Sequence, residues 1–174
     1  MILVSNHLTN LDEFKKIKNV VVRINMAHVK DEAELEKFVN VPFDIFLDYP
    51  KGRSKPPTPS LHIPDAIRMM QKYENIKYFA VSNIETNSET AVIVSSIPKH
   101  VSFVPKIETL QGVIKLDKIL KNNPIDYIML DGEDLYTNVM NDQELFLYLK
   151  DRAGKTCENN NVTMLELYGV VFNG

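Results

Sequence analysis

The feature that most constrains the fold of this chain is an alternation of short apolar runs with amphipathic stretches. Several runs, such as Val20-Val21-Val22, are apolar on both faces, as expected for strands that helices cover. The alternation predicts an α/β fold with a parallel sheet and crossover helices. Seven strands are predicted, at residues 2–5, 20–25, 44–48, 77–82, 101–106, 126–130 and 162–167.

The stretches between these runs predict six helices, and most of them carry a recognisable start signal. The first begins at Asn10, the second begins at Asp31, and Pro64 lies in the first turn of the third. Gly154 is expected to end the last helix. The second to sixth helices are predicted at residues 31–39, 64–73, 86–95, 109–120 and 142–152.

This order of elements is typical of a parallel (β/α) TIM-type barrel, but the chain is short for one. It has 174 residues, whereas eight-stranded barrels commonly need roughly 200 or more. No crossover helix fits between Leu167 and Val170, where a parallel neighbour would need about a dozen residues. We therefore expect one domain over residues 1–174, a reduced or incomplete barrel of about seven strands, whose edge a second copy of the chain could close.

Composition excludes several classes of protein. Hydrophobic residues make up 44% and charged residues 25%, which argues against a disordered chain. A net charge of −3 without a basic stripe gives no footprint for nucleic acid or an anionic membrane. The single cysteine, Cys157, excludes an internal disulfide and a cysteine-rich zinc site. No apolar run is long enough to span a membrane, and a cytoplasmic location is expected.

Polar residues stand where several predicted strands end, which is where barrels of this type carry their chemistry. Lys106 and Glu108 are two residues apart and should project to the same side, as should Arg23 and Asn25. The other polar residues at strand ends are Asp48, Ser82, Asn83, Asp131, Glu133 and Asp134, and Thr163 lies in the seventh strand.

Glu108 and Asp134 could supply two oxygen ligands to Mg²⁺ or Mn²⁺ and leave positions open for a substrate carboxylate and oxo group. Lys106 beside them could stabilise an enolate or a moving phosphoryl group. The alternative is that these residues form ordinary surface ion pairs on loops.

The sequence resembles the catalytic barrel of pyruvate kinase over nearly its whole length, and the order of the matching segments is similar too. The most specific part is the succession of Lys106-Ile107-Glu108, then Asp134-Leu135, then Thr163-Met164-Leu165-Glu166. The other segments are Val22 to His28, Leu47-Asp48, Phe79 to Ser82 and Arg152 to Lys155.

The resemblance implies a role for each matching residue. Glu108 and Asp134 would hold the divalent metal, and Lys106 would stabilise the transferring phosphoryl group or the enolate. Thr163 would lie near the enolate carbon, and Arg23 would approach phosphate. Asn25 and Asp48 would belong to a monovalent-cation site.

The chain also departs from the pyruvate kinase pattern. Ala27 replaces a serine, and Tyr49-Pro50 stands where a threonine ligand and a lysine would follow Asp48, which argues against a K⁺ site. The loop at residues 51–59 replaces the family's lid domain, and the eighth strand and regulatory domain are not expected. Lys51 and Arg53 in this loop could clamp a phosphate, or could simply be solvated. Full pyruvate kinase activity is therefore not expected, and nucleotide binding is left open.

The leading hypothesis is a pyruvate-kinase-like protein that binds Mg²⁺ and phosphoenolpyruvate, pyruvate or a related 2-oxo acid, with enolate or phosphoryl-transfer chemistry. One alternative is a metal-dependent oxo-acid lyase resembling the citrate-lyase β-subunit, whose motifs are similar to Ile107-Glu108-Thr109 and Glu133-Asp134-Leu135. Against it stands the strand order, since Arg23 precedes Asp48 here. The other alternative is a non-catalytic relic that acts as a binding or scaffold protein.

Overall fold

The structure, a computed structural model, describes residues 2–5 and 16–166. The predicted first helix, from Asn10, and the tail after residue 167 lie outside the described residues, except that residues 16–19 form turns and bends. The described residues group into two compact units, one within 1–81 and 96–102, the other within 82–95 and 103–174. The prediction of a single domain stays a prediction.

The first unit holds four parallel strands in chain order. They are β1 (Ile2–Ser5), β2 (Val20–Asn25), β3 (Asp44–Tyr49) and β4 (Ile76–Val81). Its helices are α1 (Glu32–Val39) and α2 (Ile63–Lys72), and a short 3₁₀ turn spans Met26–His28. The Asp31 carboxylate accepts a hydrogen bond from the Glu34 N–H and so begins α1 where the sequence predicts it.

The second unit holds three parallel strands in chain order, β5 (Ser102–Ile107), β6 (Tyr127–Leu130) and β7 (Thr163–Glu166). Its helices are α3 (Asn87–Ser96), α4 (Leu110–Ile114), α5 (Leu116–Leu120), α6 (Gly132–Asn138) and α7 (Gln143–Asn159). The strands β2 to β6 are largely buried, and Ile24, Phe46, Phe79, Val104 and Ile128 are all 0% exposed; no residue of β7 is fully buried.

The helices of the described residues differ from the sequence-based prediction at three places. The helix α6 was not predicted from the sequence. The helix predicted at 109–120 divides at Lys115 into α4 and α5. Gly154 does not end the last helix, which continues to Asn159. The buried residues Leu149, Ala153 and Cys157 recur every four positions, so the apolar face of α7 continues past the glycine.

The α/β prediction is confirmed: the described chain contains seven parallel strands that alternate with helices, the order of a reduced (β/α) barrel. Among the described residues, no helix is both long enough and apolar enough to span a membrane.

Candidate functional site

The centre of the candidate site is an ion pair at the carboxyl end of β5. Lys106 is the next-to-last residue of this strand and Glu108 follows it, so their side chains point to the same side. Lys106 Nζ lies 2.8 Å from Glu108 Oε1, and the two side chains are only 5% and 3% exposed. The sequence prediction that these two side chains project together is confirmed.

The segment that follows β4 completes the surroundings of this pair. The Ser82 hydroxyl accepts a hydrogen bond from Lys106 Nζ at 3.2 Å and donates one to Glu108 Oε1 at 3.2 Å. The Asn83 backbone N–H donates to Glu108 Oε2 at 3.0 Å. Asn83 adopts a φ of 54°, which asparagine tolerates better than most residues. Both Glu108 oxygens are therefore held in place.

Two further carboxylates come from the residues after β6. Asp131 precedes α6, and its side chain accepts a hydrogen bond from the Asp134 N–H at 3.3 Å. Asp131 Oδ2 lies 3.8 Å from Lys106 Nζ. One oxygen each of Glu108, Asp131 and Asp134 lies within 4.8 Å of the others, and we call these three residues the carboxylate cluster.

The electrostatics of the carboxylate cluster favour a cation. Burial raises the pKa of Glu108 above its ordinary value, and the charges of Asp131 and Asp134 add to this effect, while Lys106 opposes it. The group contains three carboxylates and one ammonium, which contacts two of them, so the ionised group carries an excess of two negative charges. A divalent cation would balance this excess.

The donor set also suits a hard cation, because Mg²⁺ prefers oxygen ligands and keeps several waters. Oxygen ligands of an octahedral Mg²⁺ are about 3 Å apart when adjacent and about 4.2 Å apart when opposite, so three oxygens within 4.8 Å of one another would draw closer together to hold the ion. The carboxylate cluster therefore fits a magnesium site.

The structure brings together the three residues to which the sequence assigned metal or substrate chemistry at this place, namely Lys106, Glu108 and Asp134. It groups them with Ser82 and Asn83, which the sequence placed at a strand end. It adds Asp131 as a third carboxylate, a residue predicted to lie at a strand end but not predicted to bind the metal. Its position directly after a buried strand, three residues before Asp134, is the signal that could have identified it.

Thr163 does not join the carboxylate cluster. It is the first residue of β7 and pairs with Tyr127, the first residue of β6. Asp131 follows the opposite end of β6, so about 10 Å of strand separates that end from Thr163. Glu166 lies at the carboxyl end of β7, but its carboxylate is 2.7 Å from Lys150 Nζ of α7.

The candidate residues of the first unit contact each other or their own loops. The Arg23 guanidinium forms an ion pair with Asp48, with Nε 2.9 Å from Oδ2. The Asn25 side chain accepts a hydrogen bond from the Ala27 N–H at 3.0 Å and caps the 3₁₀ turn. Arg23, Asn25 and Asp48 thus have structural contacts that do not require a ligand.

In the loop at residues 51–59, an arginine donates hydrogen bonds to the backbone of the loop itself. Arg53 Nε donates to the backbone oxygens of Lys55 at 3.0 Å and Pro57 at 2.8 Å. Lys51 lies in the turn that Gly52 makes with a φ of 78°. The Arg53 guanidinium therefore contacts the loop backbone, and its role as a phosphate clamp stays a prediction.

No protein-family model matches the chain, and no curated protein matches it by sequence. Solved structures similar to it include three that share 12% identity with this chain, a level that shows a shared fold alone. An HpcH/HpaI aldolase/citrate lyase family protein from Burkholderia cenocepacia J2315 has a TM-score of 0.73, with 97% of this chain and 80% of that chain covered. The citrate synthase SbnG also has a TM-score of 0.73, with 96% and 77% covered.

The third structure is CitE from Mycobacterium tuberculosis, solved in complex with magnesium, acetoacetate and coenzyme A. Its TM-score is 0.61, and 87% of this chain and 58% of that chain are covered. None of these three is a pyruvate kinase. At this level of identity the comparison shows a shared fold.

Proposed function

We propose that the protein binds Mg²⁺ at its carboxylate cluster and acts on small oxo acids as a metal-dependent lyase or aldolase. The observation that carries this proposal is the grouping of Glu108, Asp131 and Asp134 around the buried Lys106 ammonium, at the ends of β5 and β6. The structural neighbours support it, because they include aldolase and citrate-lyase family proteins, one of them solved with magnesium and an oxo acid.

Each residue of the site has a chemical task in this proposal. Bound Mg²⁺ would act as a Lewis acid that polarises the oxo group of the substrate. Glu108, Asp131 and Asp134 would hold the cation, and Ser82 and the Asn83 N–H would hold Glu108. The low exposure of Lys106 and Glu108 strengthens the charge interaction between these two side chains, whereas Asp131 is partly exposed and Asp134 is exposed.

The pyruvate kinase reading receives less support. A kinase must enclose the phosphates of a nucleotide, and Arg53, one of the two loop residues predicted to clamp a phosphate, donates to the backbone of its own loop. Phosphoenolpyruvate and pyruvate still belong to the class of small acids that the proposal includes.

Calorimetric titration tests the metal site. Mg²⁺ or Mn²⁺ is titrated into the wild-type protein and into the Glu108→Gln and Asp134→Asn variants, with Glu133→Gln as the matched control. Glu133 is an exposed carboxylate next to Asp134 that is not part of the cluster. Binding that is lost in the first two variants and kept in the control supports the site; equal binding in all four proteins rejects it.

Proton exchange tests the chemistry without knowledge of the second substrate. Pyruvate is incubated with the protein and Mg²⁺ in deuterated water, and its methyl signal is followed by NMR. An enolate-forming site should exchange the methyl protons, and Glu108→Gln should abolish the exchange. Metal and acid binding without exchange would instead favour the non-catalytic binding protein.

A further inference from the structure

The buried ammonium of Lys106 stands next to the oxygens that the proposed function assigns to a metal ion. It is 2.8 Å from Glu108 Oε1 and 3.8 Å from Asp131 Oδ2. These two carboxylates belong to the carboxylate cluster, so the ammonium and a divalent cation would be attracted to the same negative charge. Two positive charges this close together in a buried site repel each other strongly.

Lys106 also has a neutral partner. The Ser82 hydroxyl accepts a hydrogen bond from Lys106 Nζ at 3.2 Å and donates one to Glu108 Oε1 at 3.2 Å. Ser82 is itself 5% exposed, so water has little access to replace it. When the contact between Lys106 and Glu108 weakens, the serine oxygen remains as an acceptor for the ammonium.

We infer that Lys106 is the internal counter-ion of the carboxylate cluster in the metal-free protein, and that Ser82 positions its ammonium for an acidic substrate once a divalent cation binds. This inference rests on the proposed function. Lys106 gives up its contact with Glu108 when the cation arrives and stays hydrogen-bonded to Ser82. The ammonium is then available for the carboxylate of the substrate, so that the metal binds before the acid.

The inference predicts opposite effects of one substitution on two ligands. Lys106→Met removes the competing charge, so the affinity for Mg²⁺ at pH 8 should rise by about tenfold or more. The same variant should lose the metal-dependent binding of oxalate, a planar dicarboxylate used as the probe, because the ammonium that receives it is gone. A variant that had merely lost structure would bind both Mg²⁺ and oxalate more weakly.

The control is Lys118→Met, which removes an exposed lysine of α5 from the same unit and should change neither affinity. Circular dichroism and urea unfolding check that each variant is folded.

Ser82 provides a second, independent test. Ser82→Ala should change Mg²⁺ affinity by less than about threefold, because no charge is removed, yet weaken metal-dependent oxalate binding by about fivefold or more. Ser82→Thr keeps the hydroxyl and should restore oxalate binding.

Titration of Mg²⁺ and then oxalate into the full-length wild-type, Lys106→Met, Lys118→Met, Ser82→Ala and Ser82→Thr proteins distinguishes the outcomes. Unchanged or weaker Mg²⁺ binding in folded Lys106→Met overturns the counter-ion role while leaving the metal site intact. Unchanged oxalate binding in Ser82→Ala overturns the positioning role. Absence of Mg²⁺ binding in the wild type rejects the proposed function, and the inference with it.

Discussion

Lys106 Nζ and Glu108 Oε1 lie 2.8 Å apart although both side chains are almost completely buried. Such a pair is expensive to desolvate, and removing one partner leaves the other buried without its main compensation. Two well-packed apolar residues would stabilise the fold equally well at these positions. The ion pair is therefore better explained by the chemistry of the site.

A double-mutant cycle on this pair measures the coupling. In metal-free protein near pH 7, Lys106→Met and Glu108→Gln should each lower the free energy of unfolding. The double variant should lose less than the sum, by about 1–3 kcal/mol. Urea unfolding provides the measurement, and additive losses would mean that the two charges do not stabilise each other.

Thr163→Ala provides a test of the role that the pyruvate kinase resemblance implies for this residue. Because Thr163 lies at the amino end of β7, away from Asp131, the substitution should change Mg²⁺-dependent oxalate affinity by less than about twofold. Asp134→Asn is the positive control and should abolish that binding. A large loss of oxalate affinity in Thr163→Ala would show that this residue contributes to the site.

Replacing each of two helical glycines with alanine should change the free energy of unfolding in opposite directions. A Cβ at Gly112 would lie 3.1 Å from the Ile84 backbone oxygen and 3.2 Å from Ile107 Cγ2. The Ile84 backbone is held by its own hydrogen bond to the Lys106 oxygen at 3.2 Å and cannot easily move. Gly112→Ala should therefore destabilise the protein by about 1 kcal/mol or more, despite the better helix propensity of alanine.

Gly154 is the helical glycine to compare with Gly112, because it has room for a Cβ atom. A Cβ there would meet Met164 Cε at 3.9 Å, an ordinary contact, in the interior of α7. Gly154→Ala should stabilise the protein by up to about 1 kcal/mol. Thermal or urea unfolding measures the stability of both variants. A change in the same direction for both would contradict the packing argument.

The thiol of Cys157 should be unreactive in the native protein. Burial, with a smaller contribution from Glu158, raises the pKa of Cys157 to about 11. Only about one thiol in a thousand would then be ionised at pH 8, against roughly one in four for an unperturbed cysteine. Modification by an aromatic disulfide reagent should accordingly be at least about a hundredfold slower in native protein than in denaturant. The native rate should rise with pH up to the raised pKa; a fast native reaction at pH 8 would show that the thiol is accessible.

Much of the fold could be predicted from local pattern. All seven strands lie within a residue or two of their predicted positions, because runs such as Val20-Val21-Val22 have few ways to bury both faces except as covered strands. The α7 boundary was wrong because a glycine near a helix end is a common stop signal, whereas here buried Ala153 and Cys157 continue the packed face.

The sequence by itself determined the fold class, the order of the strands and the shared direction of Lys106 and Glu108, since each follows from the apolar pattern or from the two-residue period of a strand. Only the tertiary structure decided which residues meet. It added Ser82 and Asp131 to the site and left Thr163 at the other end of its strand. The physical reason is that side-chain direction is a local property, whereas strand register and the close approach of loops depend on packing between segments far apart in the chain.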